Sequence, residues 1–270
     1  MGCPGELGKQ AAAIQPAERE RKGKKSRSSN GRDIIFEKPI LGLETWQKHS
    51  QRERTHSFIP GSQQENGALS EYQLASEGVK QAQLAGELFL EQLKERNIPL
   101  ESVRICYSPF ARTSHTAKVV ASVLNLPFEG PQCKVMEDLR ERYFGPSFEL
   151  MSHDKYPEIW ALDEKDPFMQ PEGGESANDV ANRLASAMAS MELEFQGCAI
   201  LIVSHGDPLQ ILQTILSAVK QHNGSTCDDS SSMVQAVKIP SILSQHRKFA
   251  LLTGELRQIF VAAKLEKELG

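Results

Sequence analysis

The stretch that decides the fold runs Cys198-Ala199-Ile200-Leu201-Ile202-Val203-Ser204-His205-Gly206-Asp207-Pro208. Its first six residues are apolar without alternation, the pattern of a short strand buried on both faces in a sheet that helices cover on both sides. Ser204-His205-Gly206 is a sharp turn. Asp207 is expected as the N-cap and Pro208 as the first residue of a helix whose apolar face is Leu209, Leu212, Leu216 and Val219.

The same strand, turn and helix punctuation repeats upstream. Val103-Arg104-Ile105-Cys106-Tyr107 reads as a second buried strand, turned by Ser108-Pro109 into a helix from about Arg112 to Asn125. Ser76 is expected to cap a helix through Val79, Ala82, Leu88, Phe89 and Leu93 that stops near Asn97 and Pro99. A strand is expected near Gln132 to Val135, followed by a loop rich in Pro and Gly over about residues 137 to 175. Ser176 then opens a further helix, with Asp179 placed for a capping box. Its stripe of Val180, Leu184, Met188, Met191 and Phe195 predicts a core face rather than a metal-binding one. Phe249-Ala250-Leu251-Leu252 is expected as a last strand. Strands alternating with helices predict an α/β protein, a three-layer α/β/α sandwich around a mostly parallel sheet.

Composition bounds the function. The chain has 270 residues, 39% hydrophobic and 24% charged, with 31 Lys+Arg against 35 Asp+Glu and a formal net charge of -4. These values exclude a collagen-like or wholly disordered chain, and argue against a protein built to neutralise nucleic-acid phosphates. No apolar run approaches the roughly 20 residues needed to span a bilayer, so no membrane partner is expected. Cys3, Cys106, Cys133, Cys198 and Cys227 are dispersed without a CxxC pair, which predicts neither zinc site nor disulfide framework. The N-terminus lacks the apolar core of a secretory leader, and Glu6 stands where a myristoylation signal usually has Ser or Thr. Residues 1–32 read as a disordered basic tail and residues 33–265 as one α/β domain. A cytoplasmic setting is expected, and the tail leaves a nuclear or organellar address open.

Ligands in such sheets bind beyond the carboxyl ends of the strands, where loops enter helix N-termini. Two turns carry polar groups there: Ser108-Pro109-Phe110-Ala111-Arg112-Thr113 and Ser204-His205-Gly206-Asp207. Helix N-termini attract an anion, and an arginine beside them can grip two of its oxygens. Arg112, His205 and Gly206 are therefore the expected phosphate-binding residues, with Gly206 letting backbone approach the ligand. A structural histidine and a surface arginine are the bland alternatives for each residue taken alone; the pairing of the two turns weakens both.

The ordered motifs Ser108-Pro109-Phe110-Ala111-Arg112-Thr113-Ser114-His115-Thr116-Ala117, Asp138-Leu139-Arg140-Glu141-Arg142-Tyr143-Phe144-Gly145, Gly174-Glu175-Ser176 and Val203-Ser204-His205-Gly206 resemble those of the histidine phosphatase superfamily, the phosphoglycerate mutase-like proteins. The segment Leu74 to Ala82 is similar to that family's helix-opening segment, and the likeness spans about residues 65 to 220. The resemblance implies a phosphoglycerate mutase-like fold and a covalent mechanism in which a histidine takes a phosphoryl group from a phosphoester and yields it to water or another hydroxyl. It implies Arg112 on the phosphoryl oxygens and two catalytic residues: His205 stabilising their charge, and Glu141 as proton donor to the leaving oxygen, a role suited to a partly buried carboxyl. A small-molecule phosphoester or phosphate is the implied partner, with no metal or organic cofactor. Arg140 and Arg142, flanking Glu141, read as solvated cations, as charges that oppose a rise in its pKa, or as contacts to a substrate anion. Ser176 fits a helix cap, Glu175 a prop for the loop, and His115 a structural role.

The family's first motif, an Arg-His-Gly triplet closing an early strand and supplying the nucleophile, is found nowhere in this sequence. His49, in Lys48-His49-Ser50, is the nearer imitation and His56 the weaker. The vacant strand position could be taken by Ile34-Ile35-Phe36 or Ile40-Leu41-Gly42-Leu43, with Pro39 limiting pairing to one side. Three functions stay open at this point: a metal-independent phosphatase or phosphomutase, a catalytically inactive phosphate-binding protein of the same fold, and a nucleic-acid binder acting through the basic tail.

Overall fold

A computed structural model of the chain describes residues 37–42, 67, 69, 72–148, 156–222 and 238–262, which lie in the compact unit Ile35–Gly270. The strands are β1 (Glu37–Gly42), β2 (Val103–Tyr107), β3 (Cys133–Val135), β4 (Ala199–Val203) and β5 (Arg257–Ala262). They form one sheet in the order β3-β2-β4-β1-β5. The four strands β3, β2, β4 and β1 run parallel, with Val103 opposite Ala199 and Leu41 opposite Leu201. β5 alone is antiparallel, pairing with β1 from Glu37↔Ala262 to Gly42↔Arg257.

The principal helices are α1 (Ser76–Glu95), α2 (Ala111–Val123), α3 (Tyr156–Lys165), α4 (Ala177–Glu194) and α5 (Gly206–His222). Successive residues of a strand point to opposite faces, and β4 uses both. Ala199, Leu201 and Val203 pack with Phe89 and Leu93 of α1 and with Ala117 and Val120 of α2. Ile200 and Ile202 pack with Leu184 and Met188 of α4 and with Ile211 and Ile215 of α5. The unbroken apolar run of β4 is thus the middle layer of an α/β/α sandwich, and Met188 and Met191 are core residues.

Local signals set the helix ends. Ser176 Oγ accepts from the Asp179 amide at 3.0 Å, while Asp179 Oδ2 accepts from the Ser176 amide at 2.9 Å, the reciprocal capping box expected there. Asn97 and Asn125, both with φ of 55°, turn the chain out of α1 and α2 in the left-handed region that asparagine tolerates. Ser76 is no cap: it lies inside α1, and Ala75 holds the cap position without a side-chain bond.

The last strand also differs from expectation. Phe249 closes a 3₁₀ turn, His246–Phe249, and the strand is Arg257–Ala262 instead. A short apolar run does not distinguish a strand from a packed turn; a partner with free backbone groups does, and β1 supplies it. The strand position beside β4 is filled by Glu37–Gly42. Pro39, which has no N–H to give, pairs with Phe260 of β5, and the ladder to β4 begins only beyond it, at Leu41.

Candidate active site

Both turns singled out in the sequence open on the carboxyl edge of the parallel strands. The Ser108 amide donates to the Val203 carbonyl at 3.0 Å, which prolongs the β2–β4 pairing by one step and brings Ser108 level with the end of β4. Arg112 lies in the first turn of α2, and Gly206 is the first residue of α5. Glu141 comes from a third element, the chain just after the 3₁₀ turn Glu137–Leu139. Ser204 Oγ donates to the Leu139 carbonyl at 2.7 Å and ties that segment to the end of β4.

Three side chains converge. Arg112 Nη2 donates to His205 Nδ1 at 2.7 Å and to Glu141 Oε2 at 3.3 Å, and the same carboxylate oxygen stands 3.6 Å from His205 Nδ1. A guanidinium only donates, so Nδ1 must accept and the ring proton sits on Nε2. Nε2–H then donates to Ser108 Oγ at 2.8 Å. The Phe110 ring meets the imidazole edge-on, with centroids 5.0 Å apart, and lies 5.1 Å from the guanidinium carbon of Arg112.

His205 is 2% exposed. Burial first, then the positive charges of Arg112 and Arg183, push its pKa well below the ordinary histidine value. The folded protein holds this ring neutral where the unfolded chain would protonate it, so unfolding takes up a proton as the medium becomes acid. Stability from this residue is therefore full above the unfolded-state pKa of about 6.5 and falls as pH drops below it, by at most about 1.4 kcal/mol per pH unit. Denaturant melts at a series of pH values should show His205→Asn with a flatter acid limb than the parent; parallel limbs would assign the acid sensitivity elsewhere.

Glu141 is held by what flanks it. The Arg142 side chain is fully buried. It pairs bidentately with Asp163 of α3 (2.7 and 2.9 Å), donates to Asp207 of α5 at 3.1 Å, and donates through Nε to the Glu175 carbonyl at 2.9 Å. This burial rules out Arg142 as a solvated cation and as a substrate contact. Burial alone would raise the Asp163 carboxyl; hydrogen bonds from Arg142 and from His246 outweigh it and hold that pKa below the ordinary carboxylate range. Asp207 is likewise not the expected N-cap: it lies within α5, and its two oxygens take Arg142 and the Gln210 amide. A buried cation overrides the local capping preference.

Glu175 props the loop as expected, accepting from Arg140 at 2.8 Å, from Arg183 at 3.0 Å and from the Tyr143 amide at 3.0 Å. The two segments so joined lie too close for a side chain at Gly174, where a Cβ would stand 2.6 Å from the Phe144 carbonyl carbon and 2.7 Å from the Tyr143 oxygen. Arg112, Glu141, His205 and Gly206 are thus brought to one corner. His49 and His56 lie outside the described residues. Sequence reasoning reaches neither the role of Ser108 nor the Arg142 network, although the dense Arg-Glu-Arg run around Glu141 is a visible sign of the network. Among the described residues no helix is long and apolar enough to cross a membrane, and no cluster of three or more His, Cys, Asp or Glu could hold a metal ion.

The sequence model of the histidine phosphatase superfamily (branch 1) matches residues 61–232. Among solved structures, a mycobacterial glucosyl-3-phosphoglycerate phosphatase in complex with inorganic phosphate is similar at 20% identity, over 67% of this chain and 78% of that one, with a TM-score of 0.45. An open reading frame product of Mycobacterium tuberculosis is similar at 20% identity over 85% of this chain and 96% of its own, with a TM-score of 0.48. YhfR of Bacillus stearothermophilus is similar at 21% identity over 67% and 80%, with a TM-score of 0.44. No curated protein sequence matches the chain significantly.

Proposed function

Because this chain belongs to branch 1 of the histidine phosphatase superfamily, we propose that the corner formed by Arg112, Glu141 and His205 binds the phosphoryl group of a small phosphomonoester and serves its hydrolysis. The observation that carries this is the facing of a guanidinium, a carboxyl and an imidazole within 2.7 to 3.6 Å of one another at the carboxyl edge of the sheet. Arg112 grips two phosphoryl oxygens, and the amide of Gly206 at the start of α5 faces the same charge. Once Arg112 turns to the anion, His205 Nδ1 is released to take a proton and donate to a phosphoryl oxygen. Glu141 gives its proton to the leaving oxygen as the P–O bond breaks and a nitrogen–phosphorus bond forms. Water then attacks phosphorus, passes its proton to the Glu141 carboxylate, and the phosphohistidine bond breaks to release phosphate and the free histidine.

Turnover needs a nucleophilic histidine that is not among the described residues; His49 is the sequence candidate. A second reading, phosphate binding without turnover, is favoured by one observation: β1 ends at Gly42, and the next residues are Leu43, Glu44 and Thr45 rather than Arg-His-Gly. Calorimetric titration of the full chain with inorganic phosphate and vanadate, together with an aryl phosphate assay and mass-spectrometric trapping of phosphohistidine, separates them. Binding with a trapped phosphohistidine supports hydrolysis, binding without turnover supports the second reading, and no anion binding overturns both.

A further inference from the structure

A cavity of about 150 Å³ opens directly beside Glu141 and Gly206. Under the proposed function, on which this inference rests, Glu141 protonates the leaving oxygen, so the atoms bonded to that oxygen must extend past Glu141 into this space. Its walls are aromatic. Phe144 and Tyr156 stand with ring centroids 4.8 Å apart, and Tyr156 meets Trp160 edge-on at 6.0 Å.

One wall carries a cation. The Arg247 guanidinium carbon lies 3.5 Å from the centre of the Trp160 ring, and its Nη1 donates to Gln210 Oε1 at 2.8 Å. Gln210 is 1% exposed and is itself fixed by its amide donating to Asp207. Both partners of Arg247 are neutral, and among the described residues no carboxylate stands within ion-pair distance of it. Arg247 is thus a half-buried positive charge, aligned by a ring and an amide, with donors to spare and no counter-charge among the described residues.

We propose that this cavity receives the leaving group of a phosphomonoester that carries a second oxyanion, carboxylate or phosphoryl, and that Arg247 binds that oxyanion. The volume admits one ring or a short chain between the two anionic ends, about the space that holds benzene in an engineered core cavity, and excludes a nucleotide or polymer as the enclosed group.

The test uses non-hydrolysable probes, so it does not depend on turnover. Phenylphosphonate, 4-phosphonobenzoate and benzene-1,4-diphosphonate are titrated calorimetrically into the full chain and into Arg247→Met. The doubly anionic probes should bind the parent about tenfold or more tightly than phenylphosphonate, and Arg247→Met should erase that advantage while leaving phenylphosphonate binding unchanged. The better of the two identifies the second oxyanion. Equal affinity of all three probes for the parent, or an advantage that survives Arg247→Met, overturns the inference while leaving the proposed function intact. A fall in phenylphosphonate binding equal to that of the other two also overturns it, since Arg247 would then support the fold alone. Failure of inorganic phosphate and every phosphonate to bind the parent removes both.

Discussion

Replacing Arg142 by methionine is expected to lower the unfolding free energy by about 3–5 kcal/mol, because removing one member of a buried ion network leaves the others charged and unpaired. The partners lost are Asp163, whose side chain is fully buried, and Asp207, whose side chain is 7% exposed. Among the described residues Asp163 would keep only its bond from His246, 3.1 Å away, and the Glu175 carbonyl would lose the Arg142 donor. Urea unfolding followed by circular dichroism should show a lower midpoint with an unchanged slope. A second variant, Arg142→Met with Asp163→Asn, should recover part of the loss, since it removes the stranded charge as well as its partner. A loss under about 1 kcal/mol, no larger than for an exposed pair, would mean that the network contributes nothing beyond surface electrostatics. The consequence reaches the site through the chain itself: Arg142 adjoins Glu141 in sequence, and its amide donates to Glu141 Oε1 at 3.1 Å.

Arg112→Ala should weaken inorganic phosphate binding about a hundredfold. A guanidinium fork offers a tetrahedral anion two charge-assisted hydrogen bonds, together near 3 kcal/mol, which is about two decades in affinity. Arg112→Lys keeps the charge and loses the fork, so it should fall between the two. A second readout reports the coupling of Arg112 to His205 in the absence of any ligand. The positive charge of Arg112 is one of the causes, after burial, that push the His205 pKa down, so in Arg112→Ala the His205 resonance should titrate at higher pH than in the parent. Unchanged phosphate affinity would take the anion-binding role away from this corner, whatever the histidine does.

The sandwich and two residues of the site are legible because they rest on short-range regularities. The apolar run 198–203, the stripe from Val180 to Phe195 and the Ser176–Asp179 box each lie within a few turns of backbone, where periodicity and capping act directly. Arg112 and His205 could be placed because each follows a strand end by a few residues, and parallel strands put their ends on one edge. Asp207 and Phe249–Leu252 mislead for a shared reason. Each carries a local preference that a distant partner decides: free backbone on β1 places the last strand at Arg257–Ala262, and Arg142 draws Asp207 away from capping.

From the order of its residues alone, this chain could be assigned to the α/β class, with an arginine and a histidine at the sheet edge where anions bind, since alternation of strands and helices follows from side-chain spacing. Tertiary structure decided that Glu37–Gly42 takes the strand position beside β4, that Arg142 is a buried cation and not a surface one, and that Arg247 stands over Trp160 beside Glu141. Those outcomes depend on which charges and backbone groups from remote segments are desolvated together. That energy appears only when the segments meet, so no window of sequence contains it.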